Sequence, residues 1–343
     1  MARWLTWREA TEAALYGPDG FYRRPEGPAG HFRTSVHASD LFAGALGRLL
    51  VALDEALGRP PHLDVVDVGA GHGELLHALG RTAPEGVSGR LRMHGVEVAS
   101  RPPGLPDGVG WSAAVPDEVT GLVVANEWLD NVPVDVVEVT ADGPRVLLVD
   151  PGTGEERPGP ALGSTDLGWL AAWWPVEDAA VGDRAEVGCP RDEAWARVIR
   201  ALAGGLALGV DYAHTRDERV HGAYAAGTLA AYRQGRLVVP VPDGSCDITS
   251  HVALDACAAA GEQAGATGTL LTTQGAALRA LGVDRRRPPV EQARTDPRAY
   301  LARLSSAGQA AELTDPVGLG RFGWLAQGVG VELARLLAGA EGR

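Results

Sequence analysis

The chain contains no lysine, and all 31 of its basic residues are arginine. That absence excludes chemistry outright: no Schiff-base amine can hold pyridoxal phosphate or a carbonyl substrate, and no P-loop lysine can reach a nucleotide phosphate. Coding bias is enough to explain it, and the exclusions hold whatever the cause. Cysteine is scarce too. Cys189, Cys246 and Cys257 form no C-x-x-C pair and leave an odd count, which speaks against a disulfide framework and for a reducing compartment. The nine histidines show no H-E-x-x-H or related spacing, so no metal is expected. No apolar run reaches membrane-spanning length, and the N-terminal MARWLTWREATEAALYG lacks a long apolar core before a small-residue cleavage site. A soluble, cytoplasmic protein with no membrane partner is expected. Dense positive charge is missing as well: the longest basic run is the arginine triplet at 285–287, and the net charge is −13. A nucleic-acid partner is therefore not expected, because phosphate contacts need a concentrated positive field. A cationic substrate suits this chain better.

What is present reads as a large α/β protein. At 343 residues, with 45% apolar and 22% charged residues, the chain can bury a sizeable core. Residues 3–16 and 36–57 carry helical spacing, with Leu41, Phe42, Leu46, Leu49, Leu50 and Leu53 recurring on one face. Then the pattern changes to short apolar runs alternating with helical segments: HLDVVDV, LRMHGVEV, TGLVVAN and GGLALGVDY read as strands, and 162–174 and 190–203 as helices. VPVDVVEV and PRVLLVD, turned at TADG, predict a hairpin. Strands that are apolar throughout indicate a parallel sheet covered on both faces. Beyond about residue 247 the spacing is mostly helical until RFGWLAQGVG, the expected final strand.

VVDVGAGHGELL places Gly69, Gly71 and Gly73 immediately after the first sheet strand. Such glycines let the backbone turn tightly and approach a ligand. A nicotinamide-binding fingerprint would have its third glycine one position later, where Glu74 stands. Glu97 ends the second strand, where a carboxylate can accept hydrogen bonds from both ribose hydroxyls of a nucleoside cofactor. The glycine spacing and the missing lysine point away from pyrophosphate ligands and toward S-adenosylmethionine, with Asp67 anchoring the loop or the cofactor's amino-acid end. The third strand runs into NEWLDNVP, which sets Asn126, Glu127, Asp130 and Asn131 at a strand end. These polar residues either cap a turn or hold a positively charged group. Asp211 ends another buried strand. In CDITSHVAL, Asp247 or Thr249 can cap a following helix, with His251 four residues after Asp247.

Taken together, these segments resemble the mitochondrial complex I assembly methyltransferase family and its bacterial relatives. The likeness is carried by YGPDGFY, GHFRTS and ASDLF, by DVGAGHGELL and VEVAS, by NEWLDNVPVDV, and by VDYAH, GTLAAYR, DITSHVAL, TTQGAALRALGV and DPVGLGRFGWL. Departures fall at Asp67, where relatives carry Glu, at His31 and His37, where acids are usual, and at Ala213 and Gln234. The resemblance implies a Rossmann-like class I methyltransferase sheet with helical N-terminal and C-terminal additions. It divides the chain into a covering segment (1–60), an S-adenosylmethionine-binding domain (61–245) with an insertion at about 133–190, and a region completing the cleft (246–343). It implies N-methylation of arginine in a protein or peptide. Glu127, Asp130 and Asn126 would be catalytic, and Asp67, Gly69, Gly71, Gly73 and Glu97 would hold the cofactor. His31, Asp211, Asp247 and His251 would contact substrate. A small guanidino or amino metabolite is the alternative substrate, a non-catalytic assembly factor the alternative role, and a homodimer is left open.

Overall fold

The computed structural model describes residues 3–23, 40–177 and 179–336. His31 and His37 lie outside the described residues. The main sheet comprises β2 (Leu63–Val68), β3 (Leu91–Val96), β4 (Gly110–Ser112), β5 (Val119–Asn126), β10 (Leu202–Asp211), β16 (Gly268–Thr273) and β17 (Gly323–Val329). Their spatial order is β16-β17-β10-β5-β2-β3-β4. The pairs from β10 to β4 are parallel, whereas β17 runs antiparallel to both β10 and β16. This is a Rossmann-like sheet with one reversed strand wedged near its edge.

The apolar runs explain why both faces are covered. On β5, Leu122 and Val124 join one core cluster while Val123 and Ala125 join the other; Val65 and Val66 of β2 divide in the same way. Side chains alternate along a strand, so a run without polar breaks must bury both faces. One face packs against the helices Asp40–Ala56 and Glu74–Thr82, the other against Cys189–Ala201 and Leu254–Gln263. Gly121 and Gly205 mark where the strands crowd: a Cβ on Gly205 would stand 2.0 Å from the Gly121 carbonyl oxygen, and φ there is +139°. Only glycine fits such an approach.

Beside this sheet lies a second one, built from β1 (Leu5–Thr6), β6 (Asp135–Thr140), β7 (Gly143–Val149), β8 (Glu156–Ala161) and β9 (Arg184–Val187). The predicted hairpin is β6 with β7. Further on, β12 (Ala230–Arg233) pairs with β13 (Arg236–Val238) and β14 (Asp247–Thr249), and β11 (Ala213–His214) with β15 (Val252–Ala253). Three expectations change here. Residues 268–273, read as part of a mostly helical stretch, form β16, because their pairing with β17 satisfies a backbone that local spacing left undecided. The strands β8 and β9 were likewise not apparent from the sequence. Asp247 and Thr249 cap no helix: they lie in β14, and the helix begins only at Leu254.

Candidate active site

The carboxyl ends of β2, β3 and β5 open on a cavity of about 920 Å³. Asp67, Gly69, Gly71, Glu97, Asn126, Glu127, Asp130 and Asp247 all line it, joined by Tyr16 and Tyr22 from the N-terminal segment and Thr249 from β14. Ligands of doubly wound sheets sit at these strand ends.

The glycine loop is shaped by close contacts. Gly69, Gly71 and Gly73 have φ of +75°, +54° and +80°, and a Cβ on Gly69 would lie 2.9 Å from Cδ1 of Trp128. Gly73 is buried as the N-cap of the helix Glu74–Thr82 and does not line the cavity. Glu97 is held by the same loop: its Oε2 accepts from the Gly71 N–H at 3.1 Å, and its Oε1 from Val98 and Ala99 at 2.7 and 3.2 Å. A carboxylate has about four acceptor positions, so this grip of three bonds fixes Glu97 and leaves about one position, on Oε2, for a ribose hydroxyl. Asp67 is 5% exposed, and burial, reinforced by Glu74 and Glu97, raises its carboxyl to about 8. A loop ringed by three carboxylates fits a ligand that is cationic and carries a ribose.

The opposite wall is acidic too. Glu127 has φ of +51°, unusual for a residue with a side chain, and its N–H donates to the Val210 carbonyl at 2.7 Å. Asn126 Nδ2 donates to Glu127 Oε1 at 3.2 Å. Asp130, 6% exposed, accepts from the Thr249 hydroxyl at 2.7 Å through Oδ2. Among the described residues, neither Asp130 Oδ1 nor Asn126 Oδ1 has a hydrogen-bond partner, although both atoms are buried. Asp247 Oδ1 accepts from the Tyr22 hydroxyl at 2.8 Å and Asn131 Nδ2 at 3.1 Å, and burial together with Asp130 raises its carboxyl to about 7. Tyr16 stacks on Tyr22 with ring centres 5.6 Å apart and donates to the Asn131 carbonyl. Both tyrosines belong to YGPDGFY, one of the segments that carry the family resemblance.

Asp211 and His251 are not brought to this cavity. Asp211 is wholly buried beneath the turn after β5, where its Oδ2 accepts from the backbone N–H groups of Trp128, Leu129 and Asp130 at 3.2, 2.9 and 3.1 Å. It can reach no substrate from there, because the turn it supports stands between. His251 is not on a helix; its ring stacks on Tyr212 and lines a small separate cavity behind the wall, with Trp169, Asp192 and His214. Arg191 and Trp128 were not singled out from the sequence, and Thr249 only as a helix cap, since nothing in local spacing marks a side chain whose partners are distant in the chain.

A Rossmann-like sheet, a glycine loop with little room for a Cβ, and an acid at the end of the next strand beside an acidic pocket fit a group-transfer enzyme of the S-adenosylmethionine class. Comparison with known proteins agrees. The chain belongs to the family of S-adenosyl-L-methionine-dependent methyltransferases whose model matches residues 45–271. It is similar to a crystal structure of a candidate methyl transferase from Burkholderia thailandensis bound to S-adenosyl-homocysteine, at 28% identity and a TM-score of 0.80, covering 96% of this chain and 89% of that one. An uncharacterized protein from the same organism is 26% identical with a TM-score of 0.79, covering 97% and 90%. Among curated proteins, the mitochondrial protein arginine methyltransferase NDUFAF7 of Xenopus tropicalis is 27% identical over 302 residues. That match covers 72% of this chain and spans 65% of the relative's length.

Proposed function

We propose that this methyltransferase transfers its methyl group to an arginine guanidinium of a protein or peptide. The observation that carries this reading is the pair of buried, unpartnered acceptors Asn126 Oδ1 and Asp130 Oδ1 in an acid-lined wall. Such atoms are costly to bury alone, and a planar cation with five N–H donors satisfies several at once. The name of the 27% identical relative supports the same acceptor.

S-adenosylmethionine supplies a methyl group on a sulfonium, whose departure leaves S-adenosylhomocysteine. The chain's own residues do the rest. Glu127 clamps two guanidinium N–H groups bidentately and offsets the charge brought into the cavity. Asn126 orients the attacking nitrogen through its free amide oxygen. Asp130 Oδ1 accepts the proton that this nitrogen loses as its new bond to carbon forms, so the product departs as a singly charged methylguanidinium. Alignment is the main requirement of such an in-line displacement, and the tyrosine cover supplies exclusion of water. With methyl-labelled cofactor, an arginine-containing peptide should acquire label in its guanidino group, while its arginine-to-lysine counterpart stays unlabelled. Label on another atom would overturn the assignment, and label only on free guanidino compounds would favour a small-metabolite substrate.

Asp67 gives a second expectation. With its carboxyl raised to about 8, it holds a proton at pH 7 in the free protein. A cation placed beside it favours the ionised form and expels that proton. Binding of S-adenosylmethionine at pH 7 should therefore release a proton, so that calorimetric enthalpies differ between Tris and phosphate. Asp67→Asn should abolish the difference. Equal enthalpies for the wild type in both buffers would rule out contact between Asp67 and the cofactor's charge.

A further inference from the structure

Arg191 lies on the helix Cys189–Ala201, behind the acidic wall and 3% exposed. Its Nε donates to the Val132 carbonyl at 3.1 Å and its Nη1 to the His251 carbonyl at 2.8 Å. Its Nη2 donates to the Asp130 carbonyl at 2.6 Å and to Ser250 Oγ at 2.9 Å. All four partners are uncharged oxygens. Two belong to the turn after β5, and two to the segment leaving β14. The Thr249 hydroxyl links the same two segments through the Asp130 carboxylate. Asp130 is thus held by its carbonyl, which also accepts from the Ser250 N–H at 3.3 Å, and by its side chain, and these links tie it to β14 and the residues just after it.

A buried guanidinium on neutral partners is an expensive way to join two segments, since apolar packing does so without desolvating a charge. Its positive charge therefore calls for a reason beyond packing. The carboxylates near enough to act on it are Asp130 itself, Asp211 from β10, Glu186 from β9 and Asp192 beside it on the helix. Asp130 also faces Asp247 and Thr249 from β14, Tyr16 and Tyr22 from the N-terminal segment, Tyr212 after β10, and Glu127 on its own turn. In that company, burial pushes the Asp130 carboxyl up, while the Thr249 hydroxyl and the Arg191 charge pull it down.

We propose that Arg191 is a positioning residue for methyl transfer: it locks the turn carrying Glu127 and Asp130 to the strand carrying Asp247 and Thr249, and sets a positive charge behind the Asp130 carboxyl. This rests on the reading of Asp130 as the carboxylate that takes the acceptor's proton. Geometry and charge separate in two variants. Arg191→Lys keeps the charge but cannot reach four oxygens with one ammonium, whereas Arg191→Met keeps the stem and loses both.

The test is a titration of aspartate labelled with 13C at the carboxyl carbon, followed by NMR in the S-adenosylmethionine-bound protein, with the Asp130 signal assigned from Asp130→Asn. It is paired with methyl transfer to an arginine-containing peptide. The Asp130 midpoint should rise by about one pH unit in Arg191→Met and stay near wild type in Arg191→Lys. Transfer should fall about 100-fold in both variants at unchanged cofactor affinity. The acid limb of the pH–rate profile should move to higher pH only in Arg191→Met, because a carboxyl with a raised midpoint becomes a base later in the titration. A midpoint identical in all three proteins, or an Arg191→Lys enzyme with full turnover, would overturn the proposal. So would an Arg191→Lys variant that folds but no longer binds cofactor, since the residue would then be general scaffold. Should Arg191→Met fail to fold, turnover of Arg191→Lys decides the geometric half on its own. A wild type that leaves the peptide unmethylated would remove the arginine assignment and leave the titration to judge Arg191.

Discussion

Replacing Glu127 by alanine should reduce methyl transfer about 10³-fold while leaving S-adenosylmethionine affinity unchanged. The size of the effect follows from what the side chain supplies. A bidentate clamp both orients the guanidinium and offsets its charge, and neither contribution has a substitute in alanine. Affinity for the cofactor should persist because Asp67, Gly71 and Glu97, on the other wall, are untouched. The backbone sharpens the test. Glu127 sits at φ of +51°, a conformation that costs a residue with a Cβ roughly 1–2 kcal/mol. Alanine keeps that strain and glycine relieves it, at the expense of a more flexible unfolded chain. Glu127→Gly should therefore be about 0.5–1 kcal/mol more stable than Glu127→Ala in urea unfolding, while being equally inactive. Equal stability of the two would mean that the turn relaxes without cost and that the strain has no part in presenting the carboxylate. An active Glu127→Ala enzyme would remove Glu127 from the mechanism altogether.

The second large effect is expected at Asp211, which touches no substrate. One of its oxygens accepts from three successive N–H groups of the turn, and the other from the N–H of Tyr212 at 2.9 Å. Burial and the Asp130 carboxylate push the Asp211 carboxyl up, whereas the Asp130 N–H and the Arg191 guanidinium oppose them. Asparagine matches the shape but offers one acceptor and one donor group, so it must set an N–H against either the turn or Tyr212. Leaving such groups unpartnered in the interior should lower unfolding stability by about 2–3 kcal/mol. Turnover should fall with it, because Glu127 and Asp130 hang on the turn that Asp211 holds. Denaturant unfolding within 0.5 kcal/mol of wild type would show that the four N–H groups are satisfied some other way.

Parts of this site were legible before any fold was known. The strand-then-glycine run at Gly69 to Gly73 and the acid at Glu97 are local features, and a glycine whose neighbour leaves no room for a Cβ must be glycine in the sequence too. NEWLDNVP was visible as polar residues interrupting an apolar strand. Local spacing misjudged the residues after 245 for a physical reason. GTLLTT has no marked strand signature of its own and becomes β16 only by pairing with β17. DITSHV offers good capping residues, yet Asp247 pairs in register with Tyr232 on β12, and that ladder overrides the local preference for a cap.

The sequence by itself determined the class of chemistry: no lysine to hold a phosphate or a carbonyl, a glycine loop with an acid one strand later, and a net charge of −13 that suits a cation. Those properties are set by residue type and short spacing. Tertiary structure alone decided which acids face the ligand and which serve the backbone. Asp130 and Asp211 are both buried acids near strand ends, but only the cross-strand geometry turns one toward the cavity and places the other beneath the turn. Arg191 belongs to the same category: its four partners lie far away in the chain, and a side chain defined by distant carbonyls leaves no mark on its own neighbours in sequence.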